Sequence, residues 1–275
     1  MQPAYVSSPI APGTSGKFLA WTCSLSNFLL AAVFLATMTY IGTRAEANWP
    51  EALVLLLATA STLFSLSRQL PGQNVLLAAA IIAFIGSLAH AIGARSGIPF
   101  GPFLVDPDAG LNLMGTLPWA IPLLWVVAVL NSRGVARLIL RPWRKIHAYG
   151  FWLIGLTALF TMLFDCALEP FAAHAKHYWI WTTTGYSLTP QGAPLSNSVG
   201  WFIITLLILA FVTPALINKQ LSKRSAPDFH PFVVWLGAML LFATGAAMHG
   251  LWQAAATDTV ISTVAAVMAI RGARW

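Results

Sequence analysis

The sequence predicts an all-α fold, a polytopic transmembrane helical bundle, and three observations carry that expectation. Hydrophobic residues make up 58% of the chain and charged residues only 8%, far from the roughly 25% charged of an ordinary soluble domain. Mean hydropathy is +0.74. Apolar runs of near-spanning length recur from one end to the other and leave no room for a soluble catalytic domain. Any chemistry therefore has to use groups in the helices or in their short connections.

Residues 1–17, rich in Pro, Ser and Gly, read as a flexible N-terminal segment ahead of a single transmembrane domain, 18–275. They lack a basic n-region and a small-residue cleavage motif, so 18–41 reads as a retained first span. Further candidate spans are 52–67, 75–93, 118–130, 150–168, 200–217, 231–251 and 259–270. The second, fourth and last are short against the ~20 residues that a span needs, so the count is seven or eight. Cys23 and Cys166 lie in or beside these spans, which argues against a disulfide framework or a cysteine metal motif.

Arg133, Arg137, Arg141, Arg144 and Lys145 crowd the fourth connection, Lys219, Lys223 and Arg224 the sixth, and Arg271 and Arg274 the tail. The positive-inside rule puts these on the cytoplasmic face, with the N-terminus beside them if there are eight spans. The same bias accounts for the net charge of +7 without invoking nucleic acid. The loops 94–117 and 169–199 then share the opposite face. The first, from Gly97 to Phe103, is apolar and aromatic, as a re-entrant or interface-lying segment would be. It runs on through Asp106, Pro107 and Asp108 to Pro118 and Trp119. The second carries Tyr178, Trp179, Trp181 and Tyr186, for which an interfacial aromatic belt is the plain alternative.

Asp165 lies inside an apolar run, where a charge costs about 2.5–3.5 kcal/mol on insertion scales, and is therefore a site candidate. Glu169 is four residues on, at the end of that helix before Pro170, and Thr161 is one turn earlier on the same stripe. Two carboxyls this close in a poorly polar setting do not both ionise easily, and a carboxylic acid that keeps its proton is what general acid chemistry requires. The plain alternative is a carboxyl that pairs with an arginine or a helix end, although no Lys or Arg falls within the expected spans. His90 stands on the same side and is free to pair with a carboxyl, act as a base, or bond a helix-end carbonyl. His174 and His177 have a ligand-like spacing but no firm helix around them, and no metal site is assigned. His249 and Gln253 on the seventh span, with Asp258 in the next loop, form a second polar cluster that either lines the same cavity or bonds between helices. Asn197 is placed to cap the sixth helix.

Taken together, His90-x-x-Gly93-x-x-Ser96-Gly97-x-Pro99-Phe100-Gly101, Pro118-Trp119 with Trp125, Asp165-x-x-x-Glu169-Pro170, Trp179-x-Trp181 and Gly192-x-Pro194-Leu195-x-Asn197-x-x-Gly200-Trp201 resemble the membrane carotenoid biosynthesis family that contains the carotenoid 1,2-hydratases. The likeness covers roughly 90–201. The chain departs from the family pattern at His90, where a Glu is usual, at Phe103, where a Tyr is usual, and at Glu169, where an Asp is usual. The segment between Tyr186 and Gly192 is also longer.

The resemblance implies addition of water across the terminal C1=C2 bond of a linear psi-end carotenoid, with no cofactor. Asp165 would be the acid, Glu169 its partner, and His90 the group that positions or deprotonates water. Phe100, Phe103, Trp119, Trp179, Trp181, Tyr186, Asn197 and Trp201 would line the substrate site. It further implies a lipophilic polyene substrate, a bacterial or archaeal cytoplasmic membrane, and a place for a pigment–protein complex or homo-oligomer. The alternative is a non-catalytic carotenoid-binding subunit that keeps the pocket. A small transporter is disfavoured, because the sequence has no internal repeat or paired broken helices.

Overall fold

The computed structural model describes residues 14–42, 49–106, 112–113, 117–182, 186–217 and 227–275. Within them run eight helices: α1 Thr14–Gly42, α2 Trp49–Leu66, α3 Gly72–Ser96, α4 Ile121–Ile139, α5 Tyr149–Glu169, α6 Leu195–Val212, α7 His230–Met248 and α8 Trp252–Ala273. Seven are long and apolar enough to cross a membrane, and α2 adds a shorter apolar stretch, Pro50–Leu66. The chain is an integral membrane protein of the helical type that its hydropathy predicts. Four short strands lie among the connections: β1 Phe103–Val105, β2 Asn112–Leu113, β3 Leu117–Pro118 and β4 Trp179–Trp181. β1 pairs antiparallel with β4, Phe103 opposite Trp181 and Val105 opposite Trp179, and β2 pairs with β3.

The central helix is α4, which packs against α2, α3, α5, α7 and α8. Its Val126, Val127, Ala128 and Val129 point in successive directions and are all buried, as expected of a helix that is apolar on every side. Asn131 ties it to α2, donating from Nδ2 to Thr62 Oγ1 at 3.0 Å and to the Val127 carbonyl at 2.8 Å. The outer helices instead leave large apolar side chains uncovered, Phe28 on α1 and Phe84 on α3 among them. Such surfaces belong against lipid.

Several boundaries differ from the sequence reading. α4 does not stop at residue 130 but continues to Ile139, so Arg133 and Arg137 are helical residues and not part of a connection. Arg133 is buried there and donates from Nη2 to the Leu216 carbonyl at 2.9 Å. A long aliphatic stem lets arginine stay in a helix while its charged end reaches a polar group at the boundary. Glu169-Pro170 does not end α5 either: the chain runs on as a π-helix, Pro170–Ala175. Proline lacks an N–H, and its effect is absorbed by the wider turn, in which Lys176 N–H donates to the Phe171 carbonyl.

α8 begins at Trp252, so Asp258 is a buried helical residue and not part of a loop, and Gln253 belongs to α8 rather than α7. His249 lies just past α7, its Nδ1 2.8 Å from the Gly245 carbonyl. Pro194 precedes α6 and no side chain caps that helix, so Asn197 is not a cap. Residues 1–13 of the expected flexible segment lie outside the described residues, as do Lys219, Lys223, Arg224, Pro107 and Asp108.

Candidate active site

The C-terminal ends of α3 and α5, the start of α6 and the β1–β4 ribbon meet at one end of the bundle. On α5 the four-residue spacing stacks Asp165 and Glu169 on one face, and both are buried, at 1% and 2% exposure. From α6, Asn197 bridges them, its Nδ2 2.7 Å from Asp165 Oδ2 and 3.3 Å from Glu169 Oε1. From β4, the indole N–H groups of Trp179 and Trp181 both donate to Glu169 Oε2, at 3.1 and 2.9 Å. Alternation along a strand sends residues 179 and 181 to the same face, and pairing with β1 aims that face at α5.

The pair is asymmetric. Glu169 accepts from three N–H donors, whereas Asp165 accepts from one and its Oδ1 has no partner. Among the described residues neither carboxyl forms an ion pair; the ion pair nearby, Lys176 Nζ to Glu51 Oε1 at 3.0 Å, links the π-helix to α2 instead. Thr161, one turn below, turns its hydroxyl back to the Thr157 carbonyl.

Rings enclose the carboxyls. His90 on α3 is buried, with ring centres 5.2 Å from Phe100, 5.6 Å from Phe103 and 6.3 Å from Trp179. Its Nδ1 has no hydrogen-bond partner, and the ring bonds neither carboxyl nor a helix-end carbonyl. Phe103 packs on Trp181, their ring centres 5.4 Å apart. Beneath lies Phe100, fully buried, followed by Trp201 stacked on Trp125 at 3.8 Å. The 97–103 segment is therefore built into the protein, with Ile98 and Pro102 turned outward.

Two glycines allow this approach. A Cβ on Gly200 would stand 2.8 Å from Phe100 Cδ1, and Gly101 adopts φ +98°, a conformation that side-chain-bearing residues rarely take.

An apolar slot of about 920 Å³ runs between α1, α2, α4, α5 and α7. Trp119, Tyr178 and Trp179 line one end, and Asn27, Phe229 and His230 the other. Asp165 and Glu169 do not line it; Trp179 stands between, one face on the slot and its N–H on Glu169.

Of the residues singled out from sequence, the structure gathers Asp165, Glu169, Asn197, Trp179, Trp181, His90, Phe100 and Phe103 into one cluster. It sets Trp201 one layer below and Trp119 on the slot. Tyr186 is not part of the site: its side chain is 91% exposed. His174 and His177 join no metal-binding group among the described residues. Sequence reasoning missed Asn197 as the bridge between the carboxyls and Asp258 as a buried helical carboxyl. The signal for Asp258 was available, an acid within the apolar run that follows Trp252.

A family model described as carotenoid biosynthesis protein matches residues 50–265. The bisanhydrobacterioruberin hydratase of Haloarcula japonica is 30% identical over 169 residues, which is 58% of this chain and 54% of that protein. The chain thus spans about half the length of that curated relative. No solved structure matches.

Proposed function

This chain belongs to the carotenoid biosynthesis protein family, and we propose that it hydrates the terminal C1=C2 double bond of a psi-end carotenoid. The observation that carries the reading is a buried carboxyl pair, free of any ion pair among the described residues, in which one member accepts from three N–H donors and the other keeps an oxygen unpartnered.

The steps follow from that asymmetry. The two indole N–H groups on Glu169 can only donate, so they favour its carboxylate. Asp165 carries the proton and faces repulsion from that carboxylate if it ionises. Asp165 delivers its proton to C2, the C1=C2 π electrons form the new C–H bond, and a tertiary cation is left at C1. The aromatic faces of Trp179, Trp181 and Phe100, with the Glu169 charge behind them, suit such a cation. Water adds through oxygen to C1 and releases one proton, which returns to Asp165, so the sum is alkene plus water to tertiary alcohol. His90 lies in the ring cluster where it can orient the water. The family relationship and the apolar slot support a polyene substrate that lies beyond Trp179, with Trp179 moving aside to admit the end group.

The test is expression in a host that accumulates lycopene, followed by mass analysis of extracted pigment. A gain of one water that disappears with Asp165→Asn supports the reading. Pigment that co-purifies unchanged with the wild-type chain sinks it. That outcome would favour a carotenoid-binding subunit, a role to which the barrier formed by Trp179 between slot and carboxyls is suited.

A further inference from the structure

At the opposite end of the bundle the C-terminal ends of α2 and α4 and the 3-10 turn Thr213–Leu216 after α6 meet the starts of α5 and α7 around a second cavity of about 130 Å³. Arg133, Arg137, Arg141 and Arg144 all line it. The first three recur every four residues and therefore follow one side of α4 and its continuation. Asp228 is the one carboxylate in the lining among the described residues, and its oxygens are already engaged: Gln69 Nε2 donates at 2.5 Å and the His230 backbone N–H at 3.1 Å. No Asp or Glu occurs between Asn131 and Tyr149 or between Ile217 and Pro227. Arg133, Arg137 and Arg144 form no ion pair among the described residues. Four arginines, Arg133 buried, Arg141 half-buried and Arg137 and Arg144 exposed, thus line a small cavity in which Asp228 is the one acid among the described residues.

Positive-inside bias explains basic residues scattered along a boundary. It does not explain their convergence on a cavity between helices, where like charges repel. The geometry points to a binding site for a phosphate or phosphodiester group, a tetrahedral oxyanion whose several acceptor oxygens can take paired N–H bonds from more than one guanidinium fork. The cavity sits where the helices end, the level at which an apolar span passes from hydrocarbon to headgroups. An anionic phospholipid and a free phosphate are the two sources of that chemistry. The site is independent of any reaction at Asp165.

The full-length chain is reconstituted in nanodiscs of phosphatidylcholine alone or with phosphatidylglycerol, and retained lipid is counted by native mass spectrometry. Thermal unfolding in phosphatidylcholine discs is followed with inorganic phosphate against chloride at equal ionic strength. Arg137→Gln/Arg144→Gln is compared with Lys145→Gln/Arg274→Gln, which removes equal charge outside the cavity lining, and single Arg144→Gln guards against misfolding of the double variant. Retention of phosphatidylglycerol that falls about tenfold or more, some 1.4 kcal/mol, only in the Arg137/Arg144 variants identifies a headgroup site. A rise in unfolding temperature with phosphate alone, lost in the same variants, identifies a free-anion site. If neither ligand separates those variants from the control pair, the assignment is overturned.

Discussion

Asp165 and Glu169 are chemically similar side chains in different surroundings, and the difference comes from Asn197, Trp179 and Trp181. Replacing Asp165 with Asn keeps shape and the contact with Asn197 but removes the proton that the proposed hydration would transfer. Hydrated pigment should fall at least 10²-fold, while the unfolding temperature in detergent stays near the wild-type value. Trp181→Phe keeps a ring and removes one donor to Glu169. Hydrogen bonds to a charged group contribute about 1.5–3 kcal/mol, so product should fall about tenfold to a hundredfold, with Glu169→Gln lower still. Pigment yield per unit of folded protein checks both. The carboxyl pair was legible in the sequence because helical periodicity alone stacks residues four apart. Asn197 was not, since its side chain meets α5 only after α6 packs there, and nothing local to Pro194–Trp201 distinguishes a bridge from a cap. Tyr186 misled for the converse reason: an aromatic near a site in sequence need not turn toward it.

The elements that hold the cluster depend on close approach. Gly200→Ala places a methyl against Phe100 and the Pro99 carbonyl, at 2.8 and 3.0 Å, and overpacking of this kind costs about 1–3 kcal/mol. The variant should unfold at lower temperature and lose activity together with stability, which thermal scans alongside pigment assays would reveal. Helix count and order were readable from hydropathy. Helix ends were not: the arginines of α4 resemble a loop in composition, and Pro170 resembles a stop signal. In each case a compensating feature, a carbonyl within reach of Arg133 or a π turn after Glu169, keeps the helix going.

For the whole molecule, the slot connects the two ends of the bundle. At the end away from Trp179 it meets Asn27 and His230, joined to Ser61, whose Oγ is 2.7 Å from His230 Nε2; Asn27 Oδ1 is 2.9 Å from the same nitrogen. Lining residues on α7 run from His230 to Phe242, about 18 Å along the helix. Gly237→Phe would fill the slot midway without touching the carboxyls. Apparent KM for a long polyene should rise several-fold, whereas kcat at saturation and the hydration of a short end-group analogue change little; steady-state kinetics in mixed micelles separates these. No pattern in the sequence announced the slot, because its walls are ordinary leucines, valines and phenylalanines drawn from five helices.

That finite depth bears on substrates with two identical termini. On the proposed reaction, a forty-carbon chain would be longer than the slot that receives it, so its distal half would stay in the bilayer while the proximal tip reacts. To modify the second tip, the molecule has to withdraw, reverse and dock again. Half-finished alcohol should therefore build up in the lipid early in a time course, with the diol appearing only after a lag.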